Sequence, residues 1–291
     1  MAKWLNRYGW SGRHVWLVIV MVACGVAATA PAWIDIFRIA TIDEEASHVF
    51  LVFPVAAWLV WVRRARLRRC QPRGTMIGPV FVLVGWAFSA WGFWYSVQSF
   101  FHGGAVLVVV GAVLTVLGRD VLLRFLPAFA VLMFLVPIPG RIRQRVAIPM
   151  QTATAEVTQT IFDVLGEPVE RSGNVLSING KQVAIAEACN GQRMVFTLLL
   201  VSFAFAFGEP LRNSVRLLIL LASPLCAVLC NVVRMIPTLW LYGHQSETVA
   251  NHFHDYAGWV MLGIAFWLLK SIIDLLRWSL IPVGHYTLAS E

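Results

Sequence analysis

The stretch GTMIGPVFVLVGWAFSAWGFWYSVQSFFHGGAVLVVVGAVLTVLG (residues 74–118) contains no Asp, Glu, Lys or Arg. A helix crosses the hydrocarbon layer with about 20 mostly apolar residues. The stretch is therefore long enough for two crossings, and Phe101-His102-Gly103-Gly104 reads as the tight turn between them. Working outward, apolar runs recur at 14–34 and 46–62 before it, and at 121–137, 189–208, 213–233 and 255–273 after it. The pattern predicts an all-α polytopic membrane protein with about eight transmembrane helices.

Composition agrees. The 291 residues are 59% hydrophobic and 13% charged, with a mean hydropathy of +0.73. A soluble domain carries about 25% charged residues, so this chain lacks the polar surface of a soluble enzyme, a coiled coil or a disordered protein. The net charge of +8 reads as membrane topology rather than as a nucleic-acid surface, because Lys and Arg mark cytoplasmic loops. With the N-terminus inside, fifteen of the 23 basic residues fall on inner segments: Lys3, Arg7, Arg13, the six arginines from Arg63 to Arg73, Arg119, Arg124, Arg212, Arg216, Lys270 and Arg277. Both termini are thus expected in the cytoplasm of a cell with its chain in the inner (plasma) membrane. The basic start runs into an apolar segment without a small-residue cleavage site, so no cleavable signal peptide is expected.

One sizeable segment does not span, 140–188, and a single domain covering 1–291 with this outer insert is the simplest organisation. Pro137, Pro139 and Gly140 end the fifth span. Residues 148–165 predict an amphipathic helix, with Ile148, Val157, Ile161, Phe162 and Leu165 sharing one side and Thr and Gln on the other. Val175–Ile178 and Val183–Ile185 flank Asn179-Gly180, a strong signal for a β-hairpin because a type I′ turn needs positive φ at both central residues. The returning strand leads through Glu187-Ala188-Cys189-Asn190-Gly191-Gln192-Arg193 into the sixth span.

That path delivers Cys189 to a helix start at the outer surface. The helix dipole and free N–H groups there favour the thiolate, which is the nucleophile, and Arg193 adds positive field one turn on. The plainer alternative is a small packing residue, since free cysteines are often buried and inert. Arg234, in Asn231-Val232-Val233-Arg234, sits at the membrane boundary, where an ionisable residue is functional by default; a snorkelling arginine is the alternative. His254 and its neighbour His252 precede the eighth span, and imidazole is the usual proton shuttle. Cys226 and Cys230 share the face of Arg234 at four-residue spacing; Cys230 is a rival nucleophile, but both read as helix packing. His48, His102, His252 and His254 show no ligand spacing, so neither a metal nor any other cofactor is expected. Glu187 reads as an orienting or hairpin-bonding group. A thiolate, an imidazole and a cation together suit acyl transfer.

These residues resemble the exosortase/archaeosortase family of membrane cysteine transpeptidases. EACNGQR (187–193) is similar to that family's nucleophile block, NVVR (231–234) to its Asn-x-x-Arg block, and HDYAGW (254–259) to its His-x-x-x-Gly block. SHVFLVFP (47–54), with His48, resembles a segment at the start of the second span, and VPIPG (136–140) followed by IPMQ (148–151) the run before the outer insert. The resemblance implies Cys189 as nucleophile, Arg234 as catalytic arginine and His254, spaced from Gly258, as third member, with Arg193, Glu187, Asn190, Asn231, His48 and His252 as supporting or substrate-binding residues. It implies a thiol protease or transpeptidase acting at the outer face on exported proteins that end in a sorting signal: a short motif, a transmembrane helix and a basic tail. Membrane lipid is the other expected partner; nucleic acid is not. Asn190 and Val49 stand where Ser and Gly are common in the family. From other classes, a transporter of an anionic substrate would use Arg234 for binding without a catalytic cysteine, but would show repeated halves. A thiol oxidoreductase would need paired outer cysteines.

Overall fold

The computed structural model describes residues 9–42, 44–137, 139–185 and 191–278. Helix dominates, and the chain divides between Pro139 and Gly140 into two compact units.

The first unit is helical. Helices α1 (Gly12–Ala28) and α2 (Ala30–Ile42) meet at an 80° bend. The bend falls at Thr29, whose hydroxyl donates to the Gly25 carbonyl at 2.8 Å and accepts from the Trp33 indole at 3.1 Å. The expected first span, 14–34, is therefore a broken pair rather than one rod. A 3₁₀ helix (Glu44–His48) leads into α3 (Val49–Val62), and a second 3₁₀ helix (Arg64–Arg69) follows it.

Helices α4 (Ile77–Trp94) and α5 (Gln98–Leu117) form a closely packed pair. Their contact is a stripe of small residues: Gly78, Gly85, Ser89 and Gly92 on α4 face Gly104 and Gly111 on α5. A Cβ on Gly104 would lie 2.3 Å from the Ser89 nitrogen, and one on Gly92 2.2 Å from the Phe101 nitrogen. In lipid, where no hydrophobic force drives helices together, such backbone approach supplies the van der Waals contact. This relocates the expected turn. Phe101-His102-Gly103-Gly104 lies inside α5, where Gly104 serves helix contact; the reversal occurs at Tyr95–Val97, where Ser96 takes φ +56°. The expected fifth span, 121–137, is built of short pieces: α6 (Arg119–Arg124), α7 (Leu126–Ala130) and a 3₁₀ turn at Val131–Leu135.

The second unit begins with α8 (Gly140–Leu165), which continues through Pro149 and starts earlier than the expected residue 148. A three-stranded antiparallel sheet follows in the order β1 (Val169–Ser172), β2 (Val175–Ile178), β3 (Lys181–Ala184). The Asn179-Gly180 turn has φ values of +51° and +76°, the type I′ signature, and Ile178 pairs with Lys181. The additional strand β1 turns into β2 through Gly173 at φ +62°; its Val-Glu-Arg-Ser sequence is too polar to announce a strand, though Gly-Asn at 173–174 is a hairpin signal.

The sheet, α8 and the end of α10 (Asn213–His244) enclose one core of Ala155, Phe162, Val169, Leu176, Ile178, Val183, Ile185, Met235 and Leu239. The face that α8 buries differs from the expected one. Phe162 is buried as expected, but its buried neighbours are Thr154, Ala155 and Thr158, whereas Ile148, Val157 and Leu165 are exposed. Half-buried polar residues at the edge of this face bond to the sheet: the Asn174 amide donates to Gln151 Oε1 at 3.1 Å, the Thr152 hydroxyl to Asn174 Oδ1 at 3.0 Å, and Arg171 Nε to Gln159 Oε1 at 3.1 Å. Helices α9 (Gly191–Gly208), α10 and α11 (Glu247–Trp278) share a second core, with Leu198, Cys226, Ala227, Cys230, Ala265 and Leu269. Cys226 and Cys230 are thus packing residues.

Among the described residues, α4, α5 and α10 are each long and apolar enough to cross a membrane, and the α1–α2 pair makes a fourth crossing if it is one bent span. Ala46–Val62, Leu126–Leu135 and Val195–Gly208 are shorter apolar helices.

Candidate active site

The second unit carries most of the residues singled out in the sequence. Helix α10 runs for 32 residues, well past the expected end at 233, so Asn231 and Arg234 lie within it rather than at its tip. Both are buried, at 6% and 4% exposure. Their three-residue spacing places them on one helix face, and Arg234 Nη2 donates to Asn231 Oδ1 at 3.0 Å. The backbone is also adapted here. The Thr238 hydroxyl donates to the Arg234 carbonyl at 2.7 Å, and Pro237, lacking an N–H, leaves the Val233 carbonyl without its usual helical donor. Met235, the next residue, belongs to the core beneath the sheet. The sheet thus packs against the same stretch of α10. Its turn is fastened further along the same helix, where Asn179 Nδ2 lies 3.5 Å from the Gly243 carbonyl and Lys181 Nζ donates to the Gln245 carbonyl at 3.0 Å.

Helix α11 starts at Glu247, eight residues ahead of the expected 255, so both candidate histidines are helical. Their environments differ. His252 is exposed, and its Nδ1 donates to the Thr248 carbonyl at 2.7 Å. The side chain of His254 is only 17% exposed, with Nδ1 3.3 Å from Asp255 Oδ1. The start of α11 is tied to the end of α10 by a hydrogen bond from the Tyr242 hydroxyl to Asn251 Oδ1. At 1.5 Å per residue, Arg234 lies about 12 Å along α10 from that tie and His254 about 5 Å along α11. The two groups therefore stand at axial levels about one and a half turns apart on packed helices.

Glu187, Cys189 and Asn190 lie outside the described residues. The described chain stops at Ile185, which is fully buried in the sheet core and whose N–H donates to the Asn174 carbonyl at 2.9 Å, and resumes at Gly191, the first residue of α9. Arg193 occupies the first turn of α9. His48 closes the 3₁₀ helix ahead of α3 in the first unit, half-buried.

Among the described residues, no three His, Cys, Asp or Glu side chains are grouped to hold a metal ion. One polar pair escaped the sequence reading. His102 Nε2 and Asp35 Oδ2 lie 2.9 Å apart in the first unit, with His102 1% exposed. Asp35 is the lone acid within the apolar helix α2, and an ionisable group in such a run is the signal that points to it.

The model of the transmembrane exosortase family matches residues 33–270. The chain belongs to the transmembrane exosortase family. Comparison with curated proteins and with solved structures finds no match. The matched region of this exosortase takes in the 3₁₀ helix with His48, the sheet, Asn231, Arg234 and His254. It crosses both compact units.

Proposed function

We propose that this exosortase is a membrane cysteine transpeptidase that cleaves the C-terminal sorting signal of exported proteins. Cys189 passes its thiol proton to His254 and attacks the scissile carbonyl, and its sulfur–carbon bond forms as the carbonyl π pair moves onto oxygen. Arg234, fixed by Asn231, steadies that oxyanion. His254 gives a proton to the departing amine as the carbon–nitrogen bond breaks, leaving a thioester. An acceptor amine, or water in a hydrolytic variant of the same mechanism, then attacks the thioester and loses its proton to His254; the carbon–sulfur bond breaks, and the departing sulfur takes that proton back as the thiol. Arg193, Glu187, Asn190, His48 and His252 support or contact substrate. The site faces the outer, periplasmic side of the inner membrane, with about eight spans and both termini in the cytoplasm.

The observation that carries this reading is the buried Arg234–Asn231 pair in a chain of the exosortase family. A guanidinium held by an amide inside a helix suits stabilisation of a transient anion. Preorganised donors of this kind contribute about 2.7–4 kcal/mol to a transition state. Burial favours His254 over His252 as the proton shuttle. The test is co-expression of the full chain with a reporter bearing a sorting signal. Wild type should process it, whereas Cys189→Ala, Arg234→Ala and His254→Ala should leave it intact. Unchanged processing by Cys189→Ala would overturn the nucleophile assignment.

A further inference from the structure

The first unit carries a second feature that the transpeptidase reading does not use. At one end of it, the loop following α3, the start of α4 and the start of α6 come together. Gly118 is locked against Arg73: a Cβ there would lie 2.0 Å from the Arg73 carbonyl oxygen, and its φ of +82° is one that glycine tolerates. The Trp10 indole donates to the Leu67 and Cys70 carbonyls at 3.1 and 3.2 Å. Arg66 Nη1 donates to the Arg124 carbonyl at 3.3 Å. The segment is a built platform.

Its chemistry is one-sided. Arg64, Arg66, Arg69, Arg73 and Arg119 are exposed, and Asp120 is the one acid between residues 61 and 78 or 115 and 126. Arg64 stacks on the Trp61 ring at 4.0 Å. Arg69, Arg73 and Arg119 donate no hydrogen bond and form no ion pair among the described residues, so their guanidinium forks are open. Around them the apolar rim is exposed too: Trp61 at 57%, Met76 at 82% and Leu123 at 57%. A soluble polyanion would match the arginines but gain nothing from that rim. A phospholipid matches both, since its phosphate accepts from the arginine forks while its acyl chains lie along the ends of the spanning helices α4 and α5. Trp at that level is the usual interfacial anchor.

We propose that this arginine platform is a binding site for anionic phospholipid headgroups in the leaflet that borders it. The site is independent of the transpeptidase reading and would persist in a chain whose Cys189 proved inert.

The test uses the full chain in detergent, titrated with short-chain phosphatidylglycerol, short-chain phosphatidylcholine or inorganic phosphate, with thermal unfolding as readout. Phosphatidylglycerol should raise the melting temperature saturably, and phosphatidylcholine and phosphate should not. Arg69→Gln/Arg73→Gln/Arg119→Gln should weaken the phosphatidylglycerol response on the order of tenfold to a hundredfold, while the Lys counterparts keep most of it. Arg143→Gln/Arg145→Gln, in the second unit, should respond as wild type. Arg119→Gln alone, at an exposed helix start, should lose about fivefold and decides the matter if the triple variant fails to fold. Equal responses to the two lipids, full affinity in the Gln variants, or a response reproduced by inorganic phosphate would overturn the proposal.

Discussion

Arg234 donates to Asn231 at 3.0 Å from one turn further along the same helix, and both side chains are almost fully buried. An arginine stays charged at any accessible pH, so the amide serves to aim the guanidinium rather than to ionise it. Arg234→Lys keeps the charge but loses the fork. Processing of a sorting-signal reporter should fall by about 10²–10³-fold, the range for loss of an oxyanion donor. Asn231→Ala should cost less, about tenfold, and lower kcat more than it raises KM. Wild-type kinetics in Asn231→Ala would show that the amide does not position the arginine.

Gly103 and Gly104 are neighbours with opposite constraints. A Cβ on Gly104 would meet the Ser89 backbone nitrogen at 2.3 Å, whereas one on Gly103 meets nothing closer than Val136 at 3.7 Å. Gly104→Ala should destabilise the α4–α5 pair by about 1–3 kcal/mol, the cost of overpacking, and Gly103→Ala should be near neutral. Thermal unfolding of the two purified variants in the same detergent compares them directly.

The Asp35–His102 pair joins α2 to α5 across 67 residues of sequence. Asp35→Ala strands a buried imidazole and should cost about 1–3 kcal/mol, the penalty for an unsatisfied polar group. Asp35→Asn, which can still bond to the ring, should cost less. The double variant Asp35→Ala/His102→Ala should be more stable than the sum of the singles implies, and a double-mutant cycle on thermal stability reads that coupling.

Gly180 has open space around its α-carbon, so a substitution there acts through the backbone alone. At φ +76° a β-branched residue is strained by about 1–2 kcal/mol. Gly180→Val should speed hydrogen exchange in β2 and β3 and reduce reporter processing, while Asn179→Gly should do neither. Unaltered exchange in Gly180→Val would mean that the α10 contacts, not the turn, hold the hairpin.

Cys70, outside the spans, is 1% exposed and bonded to the Arg66 carbonyl at 3.4 Å. Burial pushes its thiol above the ordinary value, Arg124 partly opposes this, and Asp120 adds to it. The folded state therefore holds this proton more tightly than the unfolded chain. Its contribution to stability is fully present below the ordinary thiol range and is lost as pH rises toward the higher folded value. Stability measured against pH should decline above that range, and Cys70→Ala should flatten the decline. At neutral pH, maleimide should label Cys70 slowly in the folded chain and rapidly once denatured.

The sequence by itself determined the class of this protein, because a chain with so few charges must be embedded in lipid. It also determined the Asn179-Gly180 turn, whose backbone angles are a local property of those two residues. The motif blocks carried the family, since side-chain identity and order need no fold to be read. Only tertiary structure decided where helices stop and which faces they bury. Phe101–Gly104 has the composition of a turn, yet it is helical and its Gly104 is used by a neighbouring helix. Thr154 and Thr158 look like a solvent face, yet they are buried against the unit's own core. Arg234 looks like a helix end, yet α10 carries on for ten residues past it and its side chain is buried. In each case apolar periodicity predicts what a segment prefers alone, whereas close approach and hydrogen-bond partners come from residues distant in sequence.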